Sequence, residues 1–298
     1  MTDGRDGIVS RTRRWLSEGV KFLGLVFRVG SGTSSIGRAY DIIGSRNWFS
    51  ESSLFLNLGY WVGAPTSLDE ASAQLARLVA READLEAGDV VVDVGPGFGD
   101  QNVLWLKEFG PRQIVGVNIS ATQIKLAEDR ARDLGMSDRI IYREGSASAL
   151  PVGNGFASKV VALESAFHFP SRREFFSEAN RILADGGRIV TADMIMKGAR
   201  KEARRKYSWL RRYYDNEFVD IDGYTRMLEE SGFCNVRVYS ISDQVFLPFA
   251  RYVKARKRDR AVRHVNPMVR VFYGSTSIKA LARTCDYVVA VGDKKAIG

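Results

Sequence analysis

The chain has 298 residues, with 44 Lys and Arg against 35 Asp and Glu for a formal charge of +9, and 45% of its residues are hydrophobic. That balance excludes a disordered tail or a fibrous repeat, and the length allows one large domain or two small ones, each with a real core. Two cysteines without a CxxC pairing and only two histidines argue against a zinc site or a disulfide framework and point to a reducing, cytoplasmic setting.

Residues 1–85 read as a helical, aromatic-rich segment ahead of the main domain. Trp15, Leu16, Val20, Leu23 and Phe27 recur at helical spacing among Arg11, Arg13, Arg14, Lys21 and Arg28. This fits a basic amphipathic helix on a membrane, or a helix that packs its stripe on the rest of the protein; most such stripes are core faces. The apolar run Phe22 to Phe27 is too short to span a bilayer, and Arg28 stands where a signal cleavage site would follow, so export is not expected.

From residue 88 short β-branched runs alternate with helical segments. The runs are Val90 to Val94, Ile114 to Ile119, Arg139 to Tyr142, Lys159 to Leu163 and Arg188 to Ala192; the helices are Gln101 to Phe109, Ala121 to Leu134 and Arg172 to Ala184. Such alternation predicts βαβ units and a doubly wound, mostly parallel α/β sheet. A basic, helix-prone stretch from Lys197 and a short helix over Asp222 to Glu230 interrupt it. Asn235 to Ile241 and Tyr287 to Val291 then supply strands at the sheet edge, with a second basic stretch between them.

The strand Val90 to Val94 runs into Gly95-Pro96-Gly97-Phe98-Gly99-Asp100. Glycines there let the backbone turn from strand to helix and approach a ligand. A dinucleotide fingerprint would have a glycine or alanine where Asp100 stands, and a carboxylate facing a pyrophosphate is repelled. A cationic ligand without phosphate tolerates both Asp100 and Asp93.

The successive segments VVDVGPGFGD, IVGVNISATQ, REGSASALP and VVALESAFHFPSRREFFSEANRILADGGRIVTAD resemble the ordered motifs of class I S-adenosylmethionine-dependent methyltransferases. Within that superfamily they are most similar to the small-molecule enzymes, which include sterol and quinone C-methyltransferases and natural-product O-methyltransferases. The resemblance is strong over about residues 86–195. It implies a seven-stranded Rossmann-like sheet in a domain over 86–298, an N-terminal lid over 1–85, and a substrate cap at about 197–232.

The cofactor so implied is S-adenosylmethionine, with S-adenosylhomocysteine as product and no metal. The resemblance places Gly95, Gly97 and Gly99 along its methionine and ribose portion, with Asp93 at the amino acid end. Asn118, Ile119 and Gln123 fall at the ribose, where most of the superfamily has an acid, and Ser146 and Ala147 at the adenine, where Ser146 replaces the usual Asp. LGYW puts Tyr60 and Trp61 in the lid. His168, after the fourth strand, is the implied base, with Asp193 at the end of the fifth strand as its companion. Glu164 lines the cofactor or stabilises a cationic intermediate if carbon is methylated.

Lys197 to Arg212 and Arg251 to Arg263 together carry +13, which leaves −4 for the remainder. Three partners fit these tracts: an anionic acceptor, an anionic membrane that delivers a lipophilic one, or RNA. Nucleic acid is disfavoured, because Glu164-Ser165-Ala166-Phe167 stands where base methylases carry a D/N-P-P-aromatic sequence. The expectation is a cytoplasmic enzyme that methylates oxygen or carbon of a hydrophobic small molecule. Peripheral membrane contact and an oligomer stay open, as does a non-catalytic, RNA- or membrane-associated protein that keeps the sheet.

Overall fold

A computed structural model describes residues 50, 52–196, 219–256 and 275–296. Much of the expected lid, the first basic tract and cap up to residue 218, and the second tract from residue 257, with His264, lie outside these residues.

The elements in chain order are α1 (Leu68–Glu82), β1 (Val90–Val94), α2 (Asp100–Glu108), β2 (Gln113–Asn118), α3 (Ala121–Asp133), β3 (Ile140–Glu144), β4 (Ala157–Leu163), α4 (Arg172–Ile182), β5 (Leu183–Met196), α5 (Ile221–Glu230), β6 (Phe233–Ser240), α6 (Ser242–Arg256), α7 (Ser275–Thr284) and β7 (Cys285–Lys294). A single-turn 3-10 helix, Ala166–His168, follows β4.

The strands form one seven-stranded sheet in the order β3-β2-β1-β4-β5-β7-β6. The first five pair in parallel. β7 runs antiparallel between β5 and β6. β1 is buried at every position, as four valines in five places suit a strand covered on both faces, with Asp93 the one polar exception. Val91 joins the core formed with α1, α2, α3 and α6, whereas its neighbour Val92 joins the core formed with α4 and α5.

The helices begin where short polar side chains satisfy the first free N–H groups. Ser67, Ser120, Ser171 and Asp220 each accept a bond from the backbone three residues on. Within the N-terminal segment, α1 lays Leu75, Ala76, Val79 and Ala80 into the main core, with Trp105 of α2 donating its indole N–H to Ala76 O at 2.9 Å.

Three elements depart from the sequence reading. β5 starts at Leu183, two residues inside the helix expected over Arg172 to Ala184, and takes in Asp185-Gly186-Gly187, to which no element was assigned. α6 overlaps the basic tract from Arg251 in its last turns, and α7 occupies a stretch to which no element was assigned. Among the described residues no helix is long and apolar enough to cross a membrane.

Candidate active site

The strand order reverses between β1 and β4, the switch point at which doubly wound sheets open a crevice beyond their carboxyl ends. A cleft open to solvent lies there, where doubly wound sheets hold their ligands. Its walls come from the glycine loop after β1, the end of β2, the turn after β3 and the segment after β4. Leu56 and Asn57 from the N-terminal segment also line it.

The glycine loop is built for close approach. Gly95 has φ +84°, and its N–H donates to Val117 O at 2.8 Å. A Cβ at Gly95 would lie 2.4 Å from Ser165 Cβ, whose hydroxyl is fixed by a 2.6 Å bond to Val94 O. At Gly97, φ +58°, a Cβ would stand 3.1 Å from Leu56 Cδ1. Gly99 is the N-cap of α2 and faces the Tyr142 hydroxyl, off the cleft wall.

Asp93 lies beneath the loop, fully buried. Its Oδ2 accepts from Asn102 Nδ2 at 2.6 Å and Gln101 Nε2 at 3.1 Å, while Oδ1 has no hydrogen-bond partner among the described residues. Burial pushes its carboxyl up to about 7 against the pull of the two amides. Gln101, which lines the cleft, connects this buried acid to the ligand space.

At the end of β2, Asn118 Nδ2 donates to Gln123 Oε1 at 2.8 Å, and Asn118 Oδ1 accepts from Ser120 N at 3.2 Å. Gln123 lines the cleft, and its Nε2 is buried with no hydrogen-bond partner among the described residues. Ile119 flanks this pair and is 37% exposed. Ser146 and Ala147 line the cleft from the turn after β3, where the Ser146 hydroxyl accepts from Ser148 N at 3.2 Å.

Glu164 and His168 line the cleft after β4. Glu164 has φ +50°, an uncommon backbone for a non-glycine residue, secured by its N–H donating to Ala192 O at 2.8 Å. Its Oε1 accepts two bonds, from Leu58 N at 2.6 Å and Tyr287 Oη at 2.7 Å. Burial raises its carboxyl to about 7, the two donors pull the other way, and the charge of Asp193 adds to the rise. His168 packs against Phe167 with ring centroids 4.0 Å apart. Burial, then the charge of Arg172, hold its imidazole down at about 3.

Asp193 is not on the cleft wall. It is fully buried and takes Arg172 Nε at 2.7 Å, Tyr224 Oη at 3.1 Å and its neighbour's N–H, Met194 N, at 2.8 Å. Tyr60 and Trp61 also stand off the wall. Tyr60 N donates to Ala71 O at 2.8 Å, Trp61 N to Gln244 O at 2.9 Å, and the Trp61 ring lies 5.0 Å from that of Tyr252. The two fix the strap that carries Leu56 and Asn57, whose places on the wall no sequence signal gave. Tyr287 was equally invisible, because it reaches Glu164 from 123 positions away.

A family model described as "Methyltransferase domain" matches residues 92–191. The chain is 31% identical over 244 residues to the erythromycin 3''-O-methyltransferase of Saccharopolyspora erythraea, covering 76% of this chain and 79% of that protein. The chain belongs to the S-adenosylmethionine-dependent methyltransferases. It is also 32% identical over 130 residues to the 27-O-demethylrifamycin SV methyltransferase of Amycolatopsis mediterranei, covering 44% of this chain and 47% of that protein. Among solved structures, geranyl diphosphate C-methyltransferase from Streptomyces coelicolor A3(2) superposes with a TM-score of 0.65 at 19% identity, over 86% of this chain and 98% of that one. The [4+2]-cyclase SpnF gives 0.65 at 21% identity, over 81% and 88%. At these identities the two likenesses establish the fold alone.

The residues present fit this methyltransferase's cofactor. The cleft wall carries the carboxyl of Glu164 and no Lys or Arg among the described residues, as suits a sulfonium and an ammonium without phosphate. The unused Gln123 Nε2 offers a donor to a ligand oxygen such as a ribose hydroxyl. Asp100, by contrast, does not face the cleft as the sequence reading assumed: it pairs with Arg130 and accepts from Leu54 N at 3.1 Å. Gly95→Ala is expected to weaken S-adenosylmethionine binding about tenfold and to cost ~1–3 kcal/mol of stability through the strained backbone and the Ser165 contact. Titration calorimetry and thermal unfolding measure both; wild-type values for each would remove the loop from the binding site.

Proposed function

We propose that the chain transfers the methyl group of S-adenosylmethionine to a hydroxyl of a hydrophobic natural product, releasing S-adenosylhomocysteine and a methyl ether. The observation that carries this reading is the placement of Glu164 and His168 on the β4 side of a cleft whose β1 and β2 side presents the glycine loop and the Asn118–Gln123 amides. Support for an oxygen acceptor comes from the relative named for O-methylation of erythromycin, matched over most of its length.

In this reading Gly95 and Gly97 hold the methionine portion, and Asp93 supports its amino end through Gln101. Gly99 acts by starting α2. Asn118 and Gln123 take the ribose hydroxyls with Ile119 beside them, and Ser146 and Ala147 take the adenine. Residues 1–85 serve as the lid, with Tyr60 and Trp61 anchoring the strap, and the cap at 197–232 and the basic segment 251–263 cover the acceptor. Bound S-adenosylmethionine supplies a methyl group activated by its sulfonium. The protein's part is to exclude water with Leu56 and Asn57, to align the hydroxyl, and to receive its proton. Glu164 receives it, since a carboxyl held near 7 is poised for the task, and His168 stays neutral and orients the hydroxyl through a ring nitrogen.

The test is incubation with S-adenosylmethionine and a panel of hydroxylated macrolides, ansamycins and isoprenoid alcohols, with product analysis by mass spectrometry and carbon NMR. A new methoxy carbon supports the reading, and a new carbon-bound methyl replaces it with C-methylation. Absence of binding to both S-adenosylmethionine and S-adenosylhomocysteine in calorimetry overturns it in favour of a non-catalytic protein.

A further inference from the structure

Tyr287 is the third residue of β7, opposite Met194 of β5, and is fully buried. Its ring meets Phe246 edge-on at 5.9 Å, and its hydroxyl has Glu164 Oε1 as its hydrogen-bond partner among the described residues. The same oxygen takes Leu58 N–H, so both lone-pair sites of Oε1 are filled by donors, at 2.6 and 2.7 Å. Oε2 accepts nothing from the described residues. A proton on Oε1 would displace one donor. It would expel the Leu58 N–H, or turn the buried phenol hydrogen away from its acceptor, and either leaves a buried polar group unsatisfied.

We propose that Tyr287 is a positioning residue of the methyl transfer: with Leu58 N–H it occupies Glu164 Oε1, so that Oε2 alone takes the acceptor's proton. This rests on the reading of Glu164 given under Proposed function. In the step, the acceptor's O–H bond breaks and its proton passes to Oε2. The oxygen forms its bond to the sulfonium methyl carbon, and the electron pair of the broken C–S bond stays on sulfur. The strained backbone of Glu164 belongs to the same device, since it turns the carboxyl between β7 and the strap.

Among the described residues the charged and titratable groups around Glu164 are few. Tyr287 faces it from β7 and Asp193 from β5, and the charge of Asp193 opposes ionisation. His168 shares the cleft wall from the 3-10 turn, and Arg172 of α4 acts on His168 and pairs with Asp193. α6 and the strap contribute Phe246 and the Leu58 backbone, neither of them ionisable. Of these groups, only Tyr287 donates a side-chain hydrogen bond to Glu164. It stabilises the carboxylate over the acid, so its loss makes Glu164 harder to ionise.

The experiment compares wild type with Tyr287→Phe, which keeps the ring against Phe246 and removes only the oxygen. The acid limb of the kcat–pH profile is expected to move up by about one unit. S-adenosylmethionine affinity should stay within about twofold. The carboxylic acid band of Glu164 in infrared difference spectra, assigned by its loss in Glu164→Gln, should titrate at a pH higher by the same amount. Site-specific 3-fluorotyrosine at position 287, a stronger donor in the same shape, should move limb and band the other way; it serves alone if the Phe variant does not fold. Lower turnover with an unmoved limb and band means that Tyr287 only fills space, and the proposal fails. A wild type that makes no methyl ether defeats the functional reading instead, while the infrared titration still reports whether the clamp on Oε1 sets Glu164's ionisation.

Discussion

Glu164→Gln is expected to lower kcat by about 100- to 10,000-fold, the usual contribution of a positioned acid–base group, with S-adenosylmethionine affinity nearly unchanged. Gln has the shape of Glu, and its amide oxygen can accept both Leu58 N–H and Tyr287 O–H, so the clamp and the strap survive. What disappears is the capacity to take a proton. The wild-type pH profile fixes the sign. Glu164 works as the carboxylate and is held near 7, so turnover should fall about tenfold per unit as pH drops below that value. The variant should show no such limb. Stability runs the opposite way: a carboxyl raised above its unfolded value stabilises the fold below its ordinary range, and that contribution is lost as pH rises through about 7. The variant should therefore be at least as stable as wild type at pH 8. His168, held near 3 by burial and Arg172, contributes no limb between pH 5 and 9. If His168→Ala loses the acid limb and Glu164→Gln retains it, the histidine is the base and the assignment reverses.

The parts of this site that were legible in the sequence are those built from consecutive residues. A strand buried on both faces is apolar at nearly every position, in β1 at all but Asp93, and a chain that turns sharply at its end needs glycines, so Val90 to Gly99 announces both strand and loop. The ends of β2 and β4 follow from the same alternation, which brought Asn118, Gln123, Glu164 and His168 to one cleft. Contacts across the sheet carry no such local mark. Leu58 and Tyr287 meet Glu164 over separations of 106 and 123 positions, and neither residue type signals that meeting. α6 was missed for a different reason. Pro248 reads as a helix breaker and Arg251, Lys254 and Arg256 as a charge tract. The helix forms because Val245, Phe246, Phe249, Ala250 and Val253 bury one side, and that packing outweighs the cost of an internal proline. Fold alone would not have named the chemistry, since the [4+2]-cyclase SpnF shares the architecture at 21% identity. The side chains on the cleft wall and the relatives of higher identity carry that burden.

Asp193→Ala is expected to destabilise the protein by about 3–5 kcal/mol, because it strips the carboxylate from a cation that is 3% exposed. Arg172 gives Asp193 a bond at 2.7 Å, and Tyr224 Oη and Met194 N converge on the same carboxylate. A loss of this size lowers Tm by on the order of 10 °C for a chain of this length, measurable by thermal unfolding. The sequence reading gave Asp193 a catalytic place beside His168; in the structure its bonds go to Arg172, Tyr224 and the backbone, which join α4 and α5 to β5. The two roles separate cleanly in Asp193→Asn, whose shape is retained. A structural carboxylate yields a large fall in Tm and a kcat, per folded molecule, within about threefold of wild type. A catalytic companion yields the reverse. Arg172→Met combined with Asp193→Leu supplies the control, since replacing both charges by apolar groups should recover most of the stability that either single change loses. With the guanidinium gone, the His168 imidazole should titrate at a higher pH in proton NMR, yet stay below its ordinary value, because burial is the larger of the two causes that hold it down. A His168 that returns fully to its ordinary value in the double variant would make Arg172 the dominant control on that imidazole, and would reopen a proton-accepting role for the histidine.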